Sequence, residues 1–193
     1  MSMSTNEEFQ TILHRCRELF LKKNHDYGTA WRILRPESLT DQLYIKANRI
    51  RSLQVKGVAL VDEGIVPEFV GIVNYAIMGL IQLERGAADG NSESDLFDST
   101  VVEAYDRHSQ AALELMIRKN HDYDEAWRSM RVSSYVDLIL MKVFRTKQIE
   151  ELKGETLVSE GVAANYMDML NYAVFALIKL TIEADETTSV QEV

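Results

Sequence analysis

The stretch that decides the fold occurs twice. Residues 19–35 read LFLKKNHDYGTAWRILR and residues 115–131 read LMIRKNHDYDEAWRSMR, identical at ten of seventeen positions at an offset of 96. So strict a register over so varied a run marks an internal duplication, which has to be recognised before any element is assigned. The match extends outward, with Ser38, Asp41, Lys46 and Arg49 meeting Ser134, Asp137, Lys142 and Arg145. One inserted residue shifts the offset to 97, and Lys56, Gly57, Glu63, Gly64, Asn74, Tyr75 and Ala76 then meet Lys153, Gly154, Glu160, Gly161, Asn171, Tyr172 and Ala173. The 193 residues divide into repeat one at 1–86, a small polar linker at 87–98, repeat two at 99–185 and a polar tail at 186–193. Units this short bury too little surface to stand well alone, so the two are expected to share one core.

Each repeat reads as three helices. Phe9, Ile12, Leu13, Cys16, Leu19 and Phe20 give helical spacing over 6–23, with Asn24 just past the end. Ser38-x-x-Asp41, echoed by Ser134-x-x-Asp137, has the form of a capping box and would start the second helix, which runs to Val55. The third helix, over 65–84, is apolar nearly all round and belongs at the centre, as does its counterpart over 162–182. The two prolines, Pro36 and Pro67, fall near helix starts, where a missing N–H costs nothing. The expected fold class is all-α: two tandem three-helix repeats packed as one pseudo-two-fold six-helix bundle, the third helices meeting at its centre.

Charge and composition narrow the function classes. Twenty-one basic against 30 acidic residues leave a net charge of −9, which argues against a broad basic face for duplex DNA. The single cysteine, Cys16, excludes an intrachain disulfide and a cysteine-based zinc cluster, and suits a reducing compartment. It lies in the apolar pattern of the first helix without a counterpart in repeat two, as a core residue would. No run approaches the roughly 18 apolar residues of a membrane span and the first ten residues are polar, so the reading is a cytoplasmic protein with no membrane partner. Walker A, Rossmann, His-Glu-x-x-His and nucleophile-elbow signatures are absent.

A few polar residues resist a packing explanation. Asn24, His25 and Asp26 recur letter for letter as Asn120, His121 and Asp122. The aspartates alone read as helix N-caps, but three polar residues duplicated together suggest a ligand-facing loop. Trp31 and Trp127 read as core anchors ahead of base-stacking platforms. Lys46 falls inside the apolar stripe of Leu39, Leu43, Ile50 and Leu53, with Arg49 on its flank, and Lys142 repeats this beside Arg145. A buried ammonium is costly unless it meets a carboxylate or lines a cavity that accepts an anion, so Lys46, Arg49, Lys142 and Arg145 are candidate phosphate ligands. Asn74 and Asn171 lie mid-helix in apolar surroundings and must find partners, either across the pseudo-two-fold or on a ligand. Glu63, Glu160 and Asp168 are carboxylates that could hold magnesium, and since Gly71 stands opposite Asp168, a metal is expected beside Glu160 and Asp168.

Lys-Asn-His-Asp-Tyr-Gly-x-Ala-Trp-Arg, the helical Asp-x4-Lys-x2-Arg and Gly-Ile-Val-Asn-Tyr-Ala together resemble the nucleotide modification associated domain 1 family in tandem form, over residues 19–83 and 115–180. The resemblance implies a link to enzymes that alter DNA bases or their nucleotide precursors. A looser similarity is to the all-α nucleoside-triphosphate pyrophosphohydrolases, which hold magnesium on Glu-x2-Glu and Glu-x2-Asp pairs. Asp168 and Asn171, and Gly71 and Asn74, stand where the later pair would fall. The expected function is binding, with hydrolysis as an extension, of a nucleotide or nucleotide-like phosphate at a site built from both repeats, with magnesium as cofactor. The expected partners are that small molecule and a second copy of the chain. The alternative is a non-catalytic helical scaffold with a buried Lys/Asp/Asn ion-pair network.

Overall fold

The computed structural model describes residues 3–57, 64–92, 97–153 and 160–185. Glu63 and the tail at 186–193 lie outside the described residues. Two sets of three helices follow one another: α1 (Thr5–Tyr27), α2 (Pro36–Lys56) and α3 (Val66–Arg85), then α4 (Val101–Tyr123), α5 (Val132–Glu151) and α6 (Val162–Leu177). Short 3-10 turns at Ala30–Ile33 and Ala126–Ser129 join the first two helices of each set, and α6 runs on through a π turn at Ile178–Ile182. The fold is all-α, as the duplication predicts.

Two helix boundaries differ from the sequence reading. α1 opens with a capping box of Ser4 and Glu7 but does not stop at Lys23. Asn24 to Tyr27 form its last turn, and Gly28, at a φ of 62°, donates its N–H to the Asn24 carbonyl. The duplicated polar run is therefore a helix end rather than a loop, which removes the N-cap role expected of Asp26 and Asp122. In repeat two the same stop is made without glycine, by Asp124 and Glu125 at positive φ. α2 and α5 begin at Pro36 and Val132, two residues ahead of Ser38 and Ser134, so neither serine is a cap. Pro36 supplies the fixed φ of a first turn, and Asp41 instead accepts a hydrogen bond from Lys147 across the repeats.

The layering follows from which helices are apolar. α3 and α6 form the most extensive pair at the centre. α2 and α5 pack on them and on each other, while α1 and α4 cover the other side. Among the described residues α3 is the helix long and apolar enough to cross a membrane by composition, a run the sequence reading passed over, and 67% of its most apolar window is buried in the bundle. The repeats are sewn together by specific contacts. Arg17 grips Asp106 with two hydrogen bonds of 2.6 and 2.8 Å. Arg128 reaches from repeat two to Glu8 and Thr5 of repeat one, at 2.6 and 2.8 Å, and to Glu183 at 2.9 Å.

The tightest point of the central pair is Gly79 on α3 against Tyr166 on α6. A Cβ on Gly79 would lie 2.6 Å from Tyr166 Cε2. The fully buried Tyr166 ring cannot swing away, because its hydroxyl donates to the Pro36 carbonyl at 3.0 Å and lies 2.6 Å from the Thr40 hydroxyl. Helix propensity alone would make Gly79→Ala stabilising by up to about 1 kcal/mol. We expect overpacking to win, with a net loss of about 1–3 kcal/mol in urea unfolding; a stabilised variant would refute the packing argument.

Candidate ligand-binding site

Each repeat holds a cavity between the end of its first helix, its 3-10 turn and its central helix. The cavity is about 470 Å³ in repeat one and about 330 Å³ in repeat two, both within the range of small-molecule sites. Matching positions line them, Lys23, Asn24, Tyr27, Trp31, Asn74 and Tyr75 answering to Lys119, Asn120, Tyr123, Trp127, Asn171 and Tyr172. Each cavity is thus built within one repeat, not across both as the sequence suggested. Helical periodicity sorts the duplicated run: Lys23, Asn24 and Tyr27 share the face of α1 at the cavity, Lys23 and Tyr27 exposed at its mouth, while His25 and Asp26 turn away from it. His25 and Asp26 pair with each other at 3.2 Å in solvent, as His121 and Asp122 do at 3.1 Å. None of the four lines either cavity.

Lys46 does face the central helix, and its partner is an acid the sequence reading missed. Glu68, on the first turn of α3, has only 4% of its side chain exposed. It accepts from Arg49 at 2.7 Å and meets the Lys46 ammonium at 3.2 Å, with the open cavity beside them. In repeat two Glu68 is replaced by Asn165, and the acid appears one turn later as Asp168, at the position of Gly71. There Lys119 donates to Asp168 Oδ1 at 2.7 Å and Lys142 to Oδ2 at 2.6 Å. Burial would raise the Asp168 carboxyl, but the hydrogen bonds from the two lysines outweigh it and hold the group below its ordinary value. Arg145 is exposed on α5.

The two asparagines anchor the helices that flank the centre. Asn74 donates to the Cys16 carbonyl at 3.1 Å and accepts from the Tyr105 hydroxyl at 2.7 Å. Asn171 donates to the matching Ala112 carbonyl at 3.5 Å, but its Oδ1 is buried without a partner. The reason is in the sequence: the residue matching Tyr105 is Phe9, which has no hydroxyl. Burial pushes the Cys16 thiol up to about 12, so it is the inert core residue expected.

The tryptophans diverge. Trp127 is a core anchor, stacked on Phe175 at 4.4 Å with the Arg128 guanidinium 4.4 Å from its ring centre. Trp31 is half-buried, and Met78 stands where repeat two has Phe175, which leaves the larger cavity. In both repeats the asparagine Oδ1 and the indole Nε1, of Asn24 and Trp31 and of Asn120 and Trp127, are buried and have no hydrogen-bond partner among the described residues. The donors present do not fit a resident magnesium ion. Both Asp168 oxygens are engaged by ammonium groups, Glu160 is exposed, and no group of three metal-ligating side chains occurs among the described residues.

Lys23 and Lys119, Glu68 and the cavity tyrosines were not singled out from sequence. The lysines were visible in the duplicated run, as its first identical polar position. Glu68 has no counterpart in repeat two, so the duplication that marked the other residues hid it.

The sequence pattern of the nucleotide modification associated domain 1 family matches residues 23–83 and again 119–180, and the chain belongs to this family. No curated protein and no solved structure matches it, so the looser similarity to pyrophosphohydrolases finds no support.

The Asp168 cluster gives a pH test. Its folded-state pKa lies below that of an unfolded aspartate, so its contribution is complete above about pH 4 and drains as pH falls through the folded value. Asp168→Asn should cost about 3–5 kcal/mol at neutral pH by leaving Lys142 in the interior without its anion. The gap between the two proteins should narrow as the wild type itself is protonated below about pH 4. Melting curves from pH 7 to pH 2 that stay parallel would show that Asp168 does not carry this charge.

Proposed function

We propose that this member of the nucleotide modification associated domain 1 family binds a small nucleotide-like anion in the cavity of repeat one. The observation that carries the reading is one lining that joins aromatic walls, an unpartnered ammonium and unsatisfied buried polar atoms. Tyr27, Trp31 and Tyr75 offer ring faces, and stacking on such faces contributes about 1–3 kcal/mol per base. Lys23 has no ion-pair or hydrogen-bond partner among the described residues and stands at the same cavity. Asn24 Oδ1 and Trp31 Nε1 each lack a partner, at a cost of about 1–3 kcal/mol apiece that the edge of a bound base would relieve. Asn120 Oδ1 and Trp127 Nε1 share this, so the free Lys23 ammonium and the larger cavity are what distinguish repeat one. The family's description links such a ligand to nucleotide or DNA-base modification. The activity proposed is binding; hydrolysis has no support from the side chains around the cavity.

A scaffold reading draws on a different observation, the enclosure of Glu68 by Lys46 and Arg49 and of Asp168 by Lys119 and Lys142. The two readings separate at Lys46. Glu68 keeps Arg49 when Lys46 is removed, so Lys46→Met should cost well under the roughly 3–5 kcal/mol of an orphaned buried carboxylate, while nucleotide binding weakens. A full-size loss of stability in Lys46→Met with no ligand effect would favour the scaffold.

Thermal shift against a nucleotide panel, with and without magnesium, tests the proposal directly. The wild type should be stabilised by nucleotides whether or not magnesium is present. Lys23→Ala should melt within about 0.5 kcal/mol of wild type, as an exposed unpaired residue does, yet lose most of the nucleotide-induced shift. An unchanged shift in Lys23→Ala, or none in the wild type, would refute the assignment.

A further inference from the structure

Gly71 is a feature of the repeat-one site that the backbone does not require. It lies in the interior of α3 without a positive φ, where glycine is less stable than alanine. A Cβ on it would lie 3.2 Å from Lys46 Cε and 3.4 Å from Cδ, so the position takes more than hydrogen once the flexible end of Lys46 gives by a few tenths of an ångström. In repeat two that room is filled by Asp168, whose two oxygens are held by Lys119 and Lys142 at 2.7 and 2.6 Å. Repeat one keeps both lysines, as Lys23 and Lys46, around the same cavity, but its carboxylate, Glu68, stands one turn earlier and position 71 carries none. Lys46 turns to Glu68 at 3.2 Å, and Lys23 is left without a partner among the described residues.

We infer that the anionic group of a ligand in repeat one takes the place over Gly71 that the Asp168 carboxylate takes in repeat two, and that repeat two, filled by its own side chain, takes no such ligand. The inference rests on the reading of the repeat-one cavity as a nucleotide-like anion site, and it narrows the ligand class. Two ammonium groups, one of them shared with Glu68, match one phosphate or carboxylate. Further phosphates would meet the buried Glu68 carboxylate and be repelled. The ligand is therefore of the nucleoside monophosphate class, bound once per chain. Phe175 stacked on Trp127 narrows the repeat-two cavity further, where repeat one has Met78.

Calorimetry of wild type and Gly71→Asp with the four deoxynucleoside monophosphates, the corresponding triphosphates and the uncharged nucleosides tests this. The wild type should bind one monophosphate per chain, about ten- to a hundred-fold tighter than the nucleoside and tighter than the triphosphate. Gly71→Asp should bind nucleoside and monophosphate alike, because its carboxylate already occupies the anion's place. Two monophosphates per chain in the wild type, a preference for triphosphate, a variant that keeps the monophosphate advantage, or one that loses nucleoside and monophosphate in parallel would each overturn the inference and leave the cavity reading standing. A wild type that binds none of the panel overturns the cavity reading itself. Melting of the ligand-free proteins is then the remaining readout: Gly71→Asp should melt higher than wild type, by an amount that shrinks as salt is added, and an equal or lower melting temperature overturns the lysine-pair geometry as well.

Discussion

An ammonium aimed at the middle of a helix bundle has to be answered by a carboxylate, and this requirement is met twice here with different residues. Lys46 and Lys142 leave the second helix of their repeats at the same register and face the central helices, where an unmatched charge is costly. Repeat one answers with Glu68, repeat two with Asp168, one helical turn further along. That single-turn displacement fixes how the repeats differ. With the acid at Glu68, the stem of Lys46 lies along Gly71 and an open cavity remains; with the acid at Asp168, two lysines converge on one side chain.

The same logic explains why the architecture was legible in the sequence and the site only partly so. Duplication exposes what both repeats retain, so helix number and the central placement of α3 and α6 could be read in advance. Asn74 and Lys46 stood out because a polar residue in an apolar stripe is conspicuous by periodicity alone. Duplication is blind to what only one repeat has, and Glu68 is such a residue. The Asn-His-Asp run misled for another reason. Its identity in both repeats suggested a loop shaped by a ligand, whereas a helix end uses alternate positions for different purposes, Asn24 facing inward and His25 and Asp26 facing water. The helix stop itself lay in Gly28, whose counterpart Asp124 also takes a positive φ, in the left-handed helical region, without being a glycine.

Pseudo-symmetry has also been relaxed where it is least visible from outside. Tyr105 completes the hydrogen bonding of Asn74, but Phe9, its counterpart, packs edge-on against Phe175 at 5.8 Å and leaves the Asn171 oxygen unanswered. Repeat two has exchanged polar completeness for aromatic packing around Trp127, consistent with its smaller cavity.

Arg128 holds one further consequence. Its guanidinium is shared by Thr5 and Glu8 at the start of α1 and by Glu183 beyond α6, so the two extremes of the described helical path meet on one side chain. Topologically the six helices close into a ring, and the order in which the repeats occur along the chain is a matter of where that ring is cut. Opening it at the exposed residues 91 and 92 between α3 and α4 and linking the two helical ends that meet beside Arg128 would give a circular permutant with repeat two first and the same interior.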